Sequence, residues 1–166
     1  PFEPWKTVGK GPAMSSITEV AEIRRRLKYA WTPFFARFGK LISIQVKSIP
    51  KILDGANVVI ASPTASGKTE AVVAPVAERL ITERWKGLAA LYVVPTRALA
   101  NDTLARIQGP LEDMGISTTL KHGDKPHLPK QLPNWLITTP ESLDSLICRY
   151  PKEFAHLQCV ILDDIQ

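Results

Sequence analysis

From residue 57 onward the chain keeps one rhythm, a short apolar run followed by a longer stretch of helical periodicity. The runs are "NVVIA" (57–61), "AALYVV" (89–94), "GISTTL" (115–120), "NWLITT" (134–139) and "CVILDD" (159–164). Between most of them lie helical stretches at 68–84, 97–113 and 141–150. Near-continuous β-branched and aliphatic runs mark strands buried on both faces; a strand with one wet face would alternate. Strands of that kind, each followed by a helix, predict an α/β fold with a doubly wound parallel sheet in a three-layer sandwich. No internal repeat or low-complexity tract interrupts the rhythm.

Upstream the pattern differs. Residues 1–14 are rich in Pro, Gly and Lys and read as a loose leader. Ser15 and Ser16 are placed to cap a helix running to about Tyr29, with Glu19 near the capping-box position. The basic run "RRRLK" (24–28) inside it reads as a solvated helix face. "TPFFARFGK" brings Phe34, Phe35 and Phe38 and stops at Gly39; a second helix spans Ile44–Leu53 and closes at Asp54-Gly55. The expected division is a leader and helix over 1–33 and an α/β domain over 34–166, with the stop after "VILDDIQ" read as a truncation.

Bulk properties exclude several classes. The 166 residues suit one domain, and the two cysteines, Cys148 and Cys159, make neither a disulfide framework nor a zinc-ligand set. A reducing, cytoplasmic location is the simplest reading. No apolar run approaches the roughly 20 residues that span a bilayer, and the N-terminus lacks the apolar centre of a signal peptide. A net charge of +5 tilts the chain toward a polyanionic partner.

In parallel α/β sheets ligands bind beyond the carboxyl ends of the strands. After "NVVIA" comes "SPTASGKTE", which ends as a phosphate-binding loop and leads into a helix. Ser62 stands where that pattern asks for its first glycine. In such a loop Lys68 bridges the β- and γ-phosphates, Thr69 ligates Mg²⁺ and helix N–H groups face the phosphates. Gly67 is required because a Cβ there would collide with phosphate or demand an unfavourable φ. After "CVIL" come Asp163 and Asp164, an acidic strand end suited to hold Mg²⁺ through water. The separation in sequence lets that strand lie alongside the loop's own. "PTRALAND" (95–102) and "TTPESL" (138–143) set Pro95, Thr96, Arg97, Thr138, Thr139, Pro140 and Glu141 at other strand ends, where a sugar-phosphate backbone can be gripped without reading bases.

"SPTASGKT", "PTRALA", "TTPES" and "LDDIQ", in that order, resemble motifs I, Ia, Ib and II of superfamily 2 helicases. The chain resembles the first, ATP-binding RecA-like domain of a DEAD/DExH-type enzyme over roughly residues 34–166, and "HGD" with Pro126 is similar to Lhr-like helicases. Members commonly carry Ala or Ser where Ser62 stands, which explains the altered loop. The resemblance implies ATP held by Gln45, Thr64, Ala65, Ser66, Gly67, Lys68 and Thr69, with Gln45 reading adenine as in the family's Q motif. It implies Mg²⁺ at Thr69 and Asp163, and nucleic-acid contacts, DNA or RNA, at Pro95, Thr96, Arg97, Thr139, Pro140 and Glu141. Lys68, Asp163 and Asp164 take the catalytic roles, and a second RecA-like domain, outside this chain, supplies the arginine finger.

Two positions depart from the family pattern. Asp164 stands for the usual glutamate that orients the attacking water, one methylene shorter, and Gln166 replaces the usual His or Asp. A misplacement of about 1 Å can cost on the order of a hundredfold in rate. The readings are therefore an ATP-dependent helicase lobe, or a degenerate lobe serving as a nucleotide-binding or structural scaffold. A P-loop kinase or transport ATPase would have no reason to carry "PTRALA" and "TTPES". His122, His127 and His156 read as solvent-facing or structural, Trp5, Trp31, Trp85 and Trp135 form no base-stacking series, and Phe38 and Tyr29 are unranked candidates to stack on adenine.

Overall fold

The computed structural model describes residues 6–8, 17–63, 66–123 and 127–164. They fall into two compact units, Pro1–Thr82 and Glu83–Gln166.

The first unit opens with a difference from the sequence reading. The segment read as a loose leader contains strand β1 (Lys6–Val8), which pairs in parallel with β2 (Val58–Ile60), Thr7 opposite Val59. A three-residue strand has no period to detect, and its partner lies far away in sequence. Ser15 and Ser16, the expected caps, lie outside the described residues, and the helix they precede, α1, spans Ile17–Arg26. A second difference is the short helix α2 (Trp31–Phe35) within the aromatic stretch. Its start is held from a distance: Glu78 Oε2 accepts the N–H groups of Tyr29 and Ala30, both at 2.8 Å. Phe34 and Phe35 are then buried, as are Ile23, Leu27 and Ala30.

Helix α3 (Ser43–Leu53) buries Gln45, Ser48, Ile49 and Ile52 and packs along α4 (Lys68–Thr82). It ends as expected: Asp54 is the C-cap, and Gly55 follows at φ +83°, where L-residues with a Cβ are disfavoured. Helix α4 buries a broad face from Ala71 to Leu80 and tolerates Pro75 within it. Glu78 is 2 % exposed and stands on this buried face, its Oε1 without a hydrogen-bond partner among the described residues.

In the second unit four parallel strands run β3 (Ala90–Val93), β4 (Thr118–Lys121), β5 (Trp135–Thr138) and β6 (Cys159–Leu162), in the spatial order β4-β5-β3-β6. The two central strands, β3 and β5, are buried at every position, as their unbroken apolar character requires. Helix α5 (Arg97–Asp113) lies against β4 and β5. Helix α6 (Pro140–Arg149) inserts Leu146 among Leu91, Val93 and Leu136, with Phe154 of α7 (Pro151–Phe154) packed on the same cluster. β6 adjoins β3, and β2 pairs with β1 in the first unit.

Candidate nucleotide and nucleic-acid sites

The phosphate-type loop leaves β2 and turns into α4 at Gly67, whose φ of +70° favours glycine. A Cβ there would lie 2.7 Å from Ile42 Cδ1 and 2.8 Å from Gln45 Nε2, so a side chain at this position would have to displace the ends of both. The Gly67 carbonyl accepts the first helical bond from Ala71 N at 3.1 Å and a second from Gln45 Nε2 at 3.3 Å. Gln45 Oε1 in turn accepts Ile42 N–H at 3.1 Å, the backward half of a capping box. The glutamine expected to read adenine thus also fastens the loop's glycine to the start of α3.

Lys68, the first residue of α4, folds back and donates from Nζ to the Ser62 carbonyl oxygen at 2.9 Å. The amine therefore points along the loop it belongs to. Ser66 Oγ is buried with no hydrogen-bond partner among the described residues. An unsatisfied hydroxyl of that kind costs about 1–3 kcal/mol. It stands beside the open N–H groups of a helix start, and together these donors fit the phosphates of ATP. Thr69 is half-buried in the first turn. Thr64 and Ala65 lie outside the described residues.

The other candidates belong to the second unit. Asp163 follows β6 and is held twice by β3: its N–H donates to the Val93 carbonyl at 3.0 Å, and its Oδ2 accepts the Tyr92 hydroxyl at 2.8 Å. Asp164 is exposed, with φ +55°. No cluster of three or more His, Cys, Asp or Glu residues suited to hold a metal occurs among the described residues. Mg²⁺ does not need one, since it keeps several waters and takes one or two protein oxygens plus phosphate. The hydroxyl and carboxylate oxygens of Thr69 and Asp163 are hard donors of the type it takes. Gln166 and Pro126 lie outside the described residues.

Beyond β3, Pro95, Thr96 and Arg97 are exposed, and Thr96 caps α5 by accepting Leu99 N–H at 3.2 Å. The Arg97 guanidinium rests against Gly123, where a Cβ would meet Arg97 Nη2 at 2.8 Å; the glycine has φ +67°. Gly123 N–H donates to Ser142 Oγ at 3.2 Å, and Thr139 Oγ1 donates to the same oxygen at 3.3 Å. His122 Nε2 lies 3.5 Å from Asn101 Oδ1. The ends of β3, β4 and β5 thus come together as Arg97, the His122–Gly123 turn and the start of α6.

Thr139 is 4 % exposed, so its side chain builds this surface from beneath, while Pro140 and Glu141 stand exposed above it. Thr138 is fully buried and donates to the Lys121 carbonyl at 2.7 Å. The sequence reading passed over Ser142 and Tyr92; "HGD" contained the signal for Gly123, a glycine between polar residues after a strand.

The DEAD/DEAH box helicase family matches residues 42–166, and the chain belongs to that family. It is 33% identical over 141 residues to the ATP-dependent helicase Lhr-Core of Sulfolobus acidocaldarius, covering 73% of this chain and 16% of the relative. It is 32% identical over 116 residues to the ATP-dependent DNA helicase Hel308 of Pyrococcus horikoshii, covering 69% of this chain and 16% of the relative. Among solved structures it is similar to Mycobacterium smegmatis helicase Lhr bound to ssDNA and AMP-PNP, at 26% identity and TM-score 0.66, over 81% of this chain and 19% of that one. Its fold is also that of the RNA helicase Prp28 from Chaetomium thermophilum bound to ADP, at 24% identity and TM-score 0.70, over 84% of this chain and 36% of that one. The fold is therefore RecA-like, a parallel α/β sheet. The chain spans about one sixth of the length of Lhr-Core and of Hel308.

Proposed function

We propose that this chain is the ATP-binding lobe of a nucleic-acid-dependent ATPase that unwinds or remodels DNA or RNA. The observation that carries the reading is the loop before α4, with Gly67 at φ +70°, a buried Ser66 hydroxyl that has no partner among the described residues, and a lysine that donates to the loop carbonyl of Ser62. Such a loop is a preformed set of donors waiting for an anion.

In this reading Ser66, Gly67, Lys68 and Thr69, with Thr64 and Ala65, hold the ATP phosphates. Lys68 Nζ exchanges the Ser62 carbonyl for phosphate oxygens, a stronger charge-assisted bond. Gln45 reads adenine and, through its bond to Gly67, ties base recognition to loop shape. Thr69 and Asp163 would each offer an oxygen to Mg²⁺, which would supply neutralisation of charge on the transferred phosphoryl. Asp164 orients the attacking water. Arg97, Pro95, Thr96, Pro140 and Glu141, with Thr139 beneath them, take the nucleic-acid backbone, a mode that does not choose between DNA and RNA. A second RecA-like domain closes the site and supplies an arginine finger, and the protein works in the cytoplasm.

The test is ATP hydrolysis by the full-length protein with single-stranded DNA, with RNA and with neither. Stimulation by DNA, by RNA or by both over the rate with neither, abolished in Lys68→Ala, is expected; equal rates in all three conditions refute the reading. The 166-residue chain by itself is expected to bind Mg-ATP weakly and to turn over little, and robust stimulated turnover by it would count against the need for a second lobe.

The second reading, a nucleotide-binding or structural scaffold with little hydrolysis, draws on Asp164. Its backbone lies in the left-handed region, which Asp enters more readily than a longer carboxylate does. Asp164→Glu in the full-length protein separates the two: a large rise in ATPase rate marks a weakened catalyst, and no change favours the scaffold.

A further inference from the structure

Asp163 is the half-buried carboxylate that follows β6 in the second unit. The Tyr92 phenol, on the buried central strand β3, donates to Asp163 Oδ2 at 2.8 Å. Tyr92 is 2 % exposed, so packing fixes its ring and leaves the hydroxyl little freedom. The next residue of the same strand, Val93, accepts the Asp163 N–H at 3.0 Å. Backbone and side chain of Asp163 are therefore both pinned to two consecutive positions of β3. Among the described residues Asp163 Oδ1 makes no hydrogen bond, and no cation is paired with this carboxylate.

The chemistry of the donor decides what this arrangement is for. A lysine or arginine at position 92 would fix Asp163 equally well but would neutralise it. A phenol is a neutral donor that orients the carboxylate and leaves its charge intact for a cation elsewhere. We infer that Tyr92 is a positioning residue for Asp163, holding Oδ2 so that Oδ1 is kept for Mg²⁺ of the bound nucleotide. The inference rests on the reading of Asp163 as the magnesium-side carboxylate. Partners of this kind, one step removed from the metal, commonly cost ten- to a hundredfold in metal affinity or activity when removed. Magnesium here would be shared with water and phosphate, which favours the lower end.

The experiment measures ATP affinity of the full-length protein by calorimetry, in excess Mg²⁺ and in EDTA, for the parent, Tyr92→Phe, Asp163→Asn and the double variant. Tyr92→Phe keeps the ring and removes one oxygen atom. Its affinity is expected to fall about tenfold in Mg²⁺ and to stay at the parent's value in EDTA. The double variant is expected to match Asp163→Asn, because the phenol then has no carboxylate to hold. A loss shared equally between Mg²⁺ and EDTA would mark a packing or folding defect and overturn the inference. So would parent-like affinity of Tyr92→Phe in Mg²⁺ beside a clear loss in Asp163→Asn. If Asp163→Asn itself shows no Mg²⁺-specific loss, the underlying reading of Asp163 fails, and the role of Tyr92 with it.

Discussion

Replacing Gly67 by alanine probes the nucleotide loop at its least tolerant atom. Two costs can be worked from the structure. The backbone sits at φ +70°, and placing a Cβ in the left-handed region costs about 1–2 kcal/mol. The new methyl would also stand 2.7 Å from Ile42 Cδ1 and 2.8 Å from Gln45 Nε2, closer than carbon atoms approach, so both side-chain ends must move. Moving Gln45 breaks its bond to the Gly67 carbonyl, worth about 0.5–1.5 kcal/mol. Together these give about 1.5–3.5 kcal/mol, or a fall in Tm of roughly 3–14 °C for a chain of this size. Thermal unfolding with and without Mg-ATP reads both consequences. The parent should gain stability with nucleotide by mass action, about 2.7 kcal/mol at a hundredfold excess over Kd. Gly67→Ala should lose most of that gain as well as the basal Tm. A variant that keeps both its midpoint and its nucleotide shift would refute the steric account of the loop.

Gly109 supplies the contrast, since it lies exposed in the second half of α5 and, its chain neighbours aside, has nothing within 4 Å of an added Cβ. Gly109→Ala should nevertheless fall short of the gain of about 0.5–1 kcal/mol usual for a helix interior, as read by urea unfolding, because Pro110 follows within the helix and its Cδ crowds a Cβ on the preceding helical residue. Glu78→Ala removes the acceptor of two amides at 2.8 Å and should lower stability by about 2–3 kcal/mol, seen as an earlier urea midpoint. Arg97→Ala should weaken strand binding by the full-length protein and reduce its salt slope by about one. Gly123→Ala, whose methyl displaces the Arg97 guanidinium, should mimic that loss, and the pair together should cost no more than Arg97→Ala; simple additivity would show that the glycine acts independently.

How much of this was legible in the sequence follows the range of the forces involved. The helix expected at 97–113 is observed as Arg97–Asp113, and the strands fall within a few residues of their predicted spans, because periodicity and β-branching act locally. Helix α2 escaped notice because its start depends on Glu78, far along the chain, and not on a local cap. β1 escaped because "KTV" is too short to carry a period and depends on pairing with β2. Pro75 would by local rules end α4, yet it is buried within the helix, where core packing outweighs one lost hydrogen bond.

The same distinction separates the phosphate-type loop of the first unit from the acidic strand end of the second. The loop is written in a short run of sequence: Lys68 bonds back to Ser62 and Gly67 supplies the turn, so the motif and its geometry arrive together. The acidic end is not. Which strand lies beside β6 is decided by the order of the sheet, and only that order brings the Tyr92 phenol to Asp163 and leaves Asp164 outside, exposed at φ +55°. Two adjacent aspartates thus have unlike environments, one pinned by the sheet and one on a left-handed turn that disfavours a longer acid. The substitution of Asp for Glu at 164 is therefore compatible with the backbone that carries it, and any gain in rate from restoring glutamate must exceed the strain of placing it there.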